Sequence, residues 1–163
     1  MGTRSAIGVM HGDKAKVVYC HWDGYLEHNG KILQEHYDST KANFLVALGD
    51  ISSLGSEIGE KHDFDVQFTD GAIGENWCKF YGRDRNETNC DWKTDHSFES
   101  FLDRANDCGA EYYYIMRDGV WYVGTTYESD TRLGGRLVPL AEALSPNPVE
   151  DEDTEKKLLL SVL

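Results

Sequence analysis

His21 and Asp23 stand two residues apart in a stretch whose alternation predicts a strand, a spacing that puts both side chains on one face. An imidazole beside a carboxylate is a general acid-base pair, or two ligands of a divalent metal with Glu27, His28 and His36 nearby in sequence. The same pair also suits a fold, as a buried His held by a neighbouring Asp beside a core Trp22. The spacing matches no specific metal motif, so no metal site is assigned. His21 and Asp23 remain the catalytic candidates.

Arg4, Arg83 and Arg85 form the second group. Lys and Arg number 16 against 29 Asp and Glu, so each Arg is an unusual commitment, and its planar fork suits phosphate or carboxylate. With Trp22, Tyr25 or Trp121 as a stacking surface, the three would make one shared anion pocket for a nucleotide-like ligand. The alternative is intramolecular, with Arg83 and Arg85 paired to Asp84, Glu87 or Asp91. Ser5, Ser52 and Ser53 have no nucleophile-elbow context, and no Gly-rich phosphate loop is present. Covalent hydrolases and nucleoside triphosphatases are thereby excluded, and no cofactor is implied. Cys20, Cys78, Cys90 and Cys108 form no C-x-x-C pair and read as reduced thiols.

The elements that must position these groups begin with a hairpin. Ile7 and Val9, then a turn at His11-Gly12-Asp13-Lys14, then Val18, Cys20 and Trp22 alternate as two strands. Ile32, Leu33, His36 and Tyr37 recur at helical spacing, and a second helix starts at Ser39, carries Phe44, Leu45 and Leu48, and ends at Gly49. Asp50 to Gly55 reads as a compact turn or short helix. Phe64, Val66 and Phe68 predict a short edge strand, Trp77 to Tyr81 another, and Arg83-Asp84-Arg85 a charged loop. Phe98, Phe101, Leu102 and Ala105 predict a helix capped by Asp95 or Ser97. Tyr112 to Arg117 and Val120 to Val123 flank Asp118-Gly119, a hairpin signal. Leu137, Leu140, Ala141 and Leu144 make a last helix, with Pro139 in its first turn. These elements predict one α+β domain over 1–145: a mainly antiparallel sheet of two hairpins plus one or two strands, with three or four helices packed on one face. Residues 146–163 predict an acidic, largely disordered tail with an apolar end at Leu158 to Leu163, which would dock on its own domain, a second copy or a partner. Docking between copies would make a homo-oligomer.

The net charge is −13, so the long-range field repels phosphate backbones and anionic lipid. Generic nucleic-acid and membrane-surface binding are disfavoured on that ground; the charge reads first as a device for solubility, and engagement of basic partner surfaces is the alternative. No apolar run is long enough to span a bilayer.

Gly2-Thr3-Arg4-Ser5, Tyr19-Cys20-His21-Trp22-Asp23-Gly24-Tyr25, Phe80-Tyr81-Gly82-Arg83-Asp84-Arg85 and Glu111-Tyr112-Tyr113-Tyr114-Ile115 together resemble a family of small proteins encoded by tailed bacteriophages. The resemblance runs to about Val123. In that family the Arg83-Asp84-Arg85 motif usually continues Gly-Glu, whereas Asn86-Glu87 follows here. The resemblance implies a phage origin and the host cytoplasm as the place of action, and it carries no established activity. With the acidic charge and the missing catalytic motifs, the expectation is an accessory protein that binds a host or defence protein without catalysis. The alternatives are a phosphate- or nucleotide-directed binding protein or metal-dependent enzyme, and a minor virion protein.

Overall fold

Ser5–His11 (β1) and Lys14–Cys20 (β2) form the first hairpin, in register from Ser5 opposite Cys20 to His11 opposite Lys14. Gly12 turns it with φ of +66°, a conformation that glycine adopts without a Cβ penalty. The computed structural model describes residues 3–66, 71–126 and 137–145. Tyr112–Arg117 (β6) and Val120–Thr125 (β7) form the second hairpin. Asp118 and Gly119 both take positive φ, 51° and 80°, as a type I′ turn requires.

The two hairpins join through a parallel pair, β1 with β6, from Ser5 beside Tyr112 to Val9 beside Met116. On the other side, Ile51–Ser53 (β3) meets β2 in parallel at Cys20, and Lys79–Phe80 (β4) pairs antiparallel with β3. Lys93–Asp95 (β5) takes the remaining edge of β2 at Ala15 to Val17, and Val138–Pro139 (β8) pairs with β7. Among the described residues the sheet therefore has eight strands in the order β4-β3-β2-β1-β6-β7-β8, with β5 off this path. The α+β class stands, but the mainly antiparallel sheet of two hairpins plus one or two strands is corrected to a mixed sheet. A parallel pair is closed by a long crossover, so no turn dipeptide marks it in the sequence.

The helices are Lys31–His36 (α1), Ser39–Ala47 (α2), Tyr81–Arg85 (α3), Phe98–Asp107 (α4) and Leu140–Ala143 (α5), with a π-type turn over Leu26–Gly30 leading into α1. Covering of one face only is also corrected. Leu33 of α1, Leu45 of α2 and Leu140 of α5 pack with Ile7, Val18 and Tyr114. Phe101 and Ala105 of α4 pack on the opposite face, with Ala6, Val17, Tyr113 and Ile115. Consecutive residues of β1 are buried from Ser5 to Val9 for this reason. Gly8 admits the close approach, since a Cβ there would lie 3.0 Å from the Phe101 ring.

Several local expectations change. Asp50 to Gly55 holds β3 rather than a turn or helix. Phe64 to Val66 is a turn, because the Asp63 carboxylate accepts the Asp65 N–H at 3.1 Å and turns the chain back; Phe68 lies outside the described residues. Of Trp77 to Tyr81, only Lys79 and Phe80 are strand, and Tyr81 opens α3, which replaces the charged loop. The last helix starts at Leu140, leaving Leu137 outside it. The predicted tail over 146–163 lies outside the described residues.

Candidate functional site

Past the end of α4 the sheet face that carries Phe101 is left open, and β2 runs out across it. Tyr19 and Ala6 are register partners on that face. The outer edge of β2 is held by β5 up to Val17 and by β3 at Cys20, and the Asp50 side chain fills the gap by accepting the Tyr19 N–H at 2.9 Å. Burial raises the Asp50 carboxyl above its ordinary value, against the pull of that N–H and of Lys93. A cavity of about 140 Å³ opens here, with Tyr19, Asp50, Lys93, Arg104 and Cys108 in its lining.

The Tyr19 hydroxyl lies 2.6 Å from His21 Nδ1. Burial pushes the Tyr19 phenol up to about 12, with Arg4 opposing, so it is protonated at neutral pH. Burial first, and the Arg4 charge second, lower the His21 pKa, so the ring is neutral there. We assign the hydroxyl as donor, which leaves the imidazole hydrogen on Nε2. The Trp22 ring meets His21 edge-on at 4.7 Å and is 44% exposed. Burial raises the Tyr81 phenol above its ordinary value, and Tyr81 lies within the field of Tyr19. Arg4 rests against Gly109, at the end of α4.

The backbone around these groups is pinned. His21 and Trp22 donate their N–H groups to Ile51 and Ser52 O, both at 3.0 Å, and Gly24 N–H donates to Thr3 O at 2.7 Å. The buried Asn29 amide reaches Trp22 O at 3.2 Å, Cys20 Sγ at 3.3 Å and Ser5 Oγ at 3.4 Å. A Cβ on Gly24 would meet Thr3 O at 2.9 Å, so glycine is what lets the two segments lie together. Much of the Tyr19 to Tyr25 motif is scaffold that sets Arg4 beside His21.

The structure thus places Arg4, His21 and Trp22 at one end of the first hairpin and gives the rest of the predicted set other surroundings. The strand ends at Cys20, and Asp23 takes a left-handed φ of 56° and gives its carbonyl to Asn29, so the one-face argument for His21 with Asp23 does not reach it. Tyr25 is exposed, with its ring 6.1 Å from that of His28. Trp121 is buried and donates Nε1–H to Tyr37 O, which removes it as a stacking surface. Arg83 follows the intramolecular alternative: it binds both Asp84 oxygens and the carbonyls of Ile58, Gly59 and Cys78. Arg85 pairs with Glu87 at 2.5 Å while stacking over Phe64 and Tyr81. Tyr19, Asp50 and Tyr81 are additions that sequence reasoning missed; Tyr19 was signalled by its position two before His21. Among the described residues no group of three or more His, Cys, Asp and Glu is placed to hold a metal ion, and no helix is long and apolar enough to cross a membrane.

Because Arg4 helps to hold His21 neutral, Arg4→Gln will let the His21 pKa rise toward its ordinary value. Proton NMR titration of the ring reads this directly. An unmoved or lowered pKa would contradict the placement of Arg4.

The chain matches no protein-family model, no curated protein and no solved structure.

Proposed function

We propose that this chain is an accessory protein of a tailed bacteriophage, acting in the host cytoplasm by binding a host or defence protein without catalysis. The observation that carries the reading is the employment of the charged groups chemistry would need. Asp84 and Arg83 are spent on backbone N–H and C=O groups, and Asp23 sits in a turn. The phage-like motifs and the charge of −13 support it from the sequence. An open groove of about 420 Å³, lined by Met116, Val120 and Trp121 and by Glu35, His36 and Asp38, suits a partner segment that mixes aliphatic and basic side chains.

Tagged protein recovered from phage-infected cells is expected to carry one reproducible host partner. Glu35→Lys with Val120→Glu is expected to weaken that capture by about tenfold or more, by reversing one charge and wetting an apolar contact. Recovery of no partner, or a partner indifferent to both changes and to raised salt, would count against this surface.

A second reading, a phosphate- or nucleotide-directed binding protein, draws on the meeting of Arg4, His21 and Trp22 at the end of β2.

A further inference from the structure

We propose that Arg4 and His21 form a binding site for a phosphomonoester dianion, with the Trp22 ring beside it to pack against the group the phosphate carries. This rests on the second reading above. Charge bookkeeping makes Arg4 unusual. Carboxylates outnumber Lys and Arg by 29 to 16, and Arg83, Arg85, Arg104 and Arg117 each have a carboxylate at ion-pair distance. Among the described arginines, Arg4 alone has none, and its guanidinium enters no hydrogen bond. Glu111 is its neighbour across the parallel pair and takes Arg4 O through its backbone N–H at 2.8 Å, without forming an ion pair with it.

The negative end of α4 explains where the guanidinium rests, against Gly109, but accepts none of its N–H groups. One step beyond the Ser5–Cys20 register pair, on the strand opposite Arg4, His21 offers Nε2–H, because Nδ1 is held by Tyr19. Arg4 is exposed and His21 partly so, and neither the guanidinium nor Nε2 is engaged by a protein acceptor. Both are carried on hydrogen-bonded backbone, Arg4 O accepting from the Glu111 and Tyr112 N–H groups and His21 N–H donating to Ile51 O. A site held this way spends little ordering entropy on binding. Arg forks fit phosphate oxygens in pairs, and a dianion next to His21 reverses the electrostatic pressure that Arg4 exerts on the ring. The titratable groups around the ring are Arg4 and Tyr19, with Tyr81 and Cys108 lying beyond Tyr19. None of these is an anion at neutral pH; the carboxylates nearby, Asp50 on the Tyr19 N–H and Glu111 beside Arg4, are not among the groups that shift the ring. Phosphate binding therefore raises the His21 pKa and favours uptake of a proton by the ring.

The test follows the His21 ring by NMR in the full chain, with inorganic phosphate and then a nucleoside monophosphate as probes and sulfate at matched ionic strength as control. The expected result is a saturable upward move of the His21 pKa with phosphate, an affinity at least about tenfold weaker in Arg4→Gln, and an extra gain for the nucleotide that Trp22→Ala removes. Unchanged thermal midpoints establish that both variants fold. A His21 pKa indifferent to phosphate, or moved equally in Arg4→Gln, overturns the site. A nucleotide that binds while leaving His21 unmoved also overturns it and leaves the nucleotide-directed reading standing elsewhere on the chain. No binding of either probe ends both.

Discussion

Asp84→Ala is expected to lower the free energy of unfolding by about 3–5 kcal/mol, the cost of leaving a buried charge without its partner. The Asp84 side chain has no exposure, and Arg83 binds it at 2.9 Å. Its oxygens also accept the backbone N–H groups of Phe80 at 2.8 Å and His62 at 3.1 Å. Removing the carboxylate orphans both donors and strands the guanidinium over the Phe80 ring, 4.6 Å from its centroid. The 57–62 loop, which Arg83 grips through Ile58 O and Gly59 O, should loosen with it. Urea unfolding followed by tryptophan fluorescence measures the loss, since Trp77 lies 5.8 Å from His62 and reports on that loop. The pH dependence has a definite sign. Burial alone would raise the Asp84 pKa, but the Arg83 hydrogen bonds and then the Phe80 and His62 N–H groups outweigh it and hold the folded value below the ordinary 3.8. The group therefore contributes stability in full above about pH 4, and loses it as pH falls through the depressed folded value. Wild type should shed this increment on acidification while Asp84→Ala has none of it to shed. A loss under about 1 kcal/mol at neutral pH, the level of an exposed pair, would show that the network is ornamental.

How much of this was legible depends on whether the signal was local. Both hairpins follow from period-two alternation around Gly12 and Asp118-Gly119, and α4 from the Phe101 and Ala105 stripe behind Ser97, whose side chain accepts the Ser100 N–H. The parallel pairing of β1 with β6 has no such mark: Ser5 and Tyr112 are far apart in sequence, and only a shared core decides that they meet. The three-residue β3 is recruited by Cys20 and Phe80 rather than by its own propensity. At the candidate site, Arg4, His21 and Trp22 were visible as residue types. Arg83 was misleading because neighbours one apart do not usually face each other on a helix, and here the pair meets because Asp84 turns back toward Phe80. Tyr81 reads as packing in the sequence, and in the fold it stacks on Phe64 beneath Arg85.

Phe101→Ala is expected to cost about 3–5 kcal/mol, the range for truncating a fully buried aromatic. Phe101 has no exposed surface and stands at the centre of the cluster on the α4 face, edge-on to Tyr113 at 5.7 Å. Were the sheet covered on one face only, this ring would be a peripheral contact and its loss mild. Instead, β1, β2 and β6 send alternate residues to both clusters, Ala6 one way and Ile7 the other, so weakening one layer removes support from strands that the opposite layer shares. The unfolding transition should stay single and move as a whole. Gly8 supplies an internal control. A Cβ at Gly8 would sit 3.0 Å from Phe101 Cε2 and 3.6 Å from Lys16 O, so Gly8→Ala alone must push the ring aside and should destabilise. In the Phe101→Ala background the same methyl enters the space the ring vacated, and its cost should shrink or change sign. A double-mutant cycle over the two positions therefore carries a favourable coupling of about 0.5 kcal/mol or more, the threshold that separates touching residues from independent ones. Additive changes would mean that α4 does not lie over β1, and the second layer of the core would have to be given up.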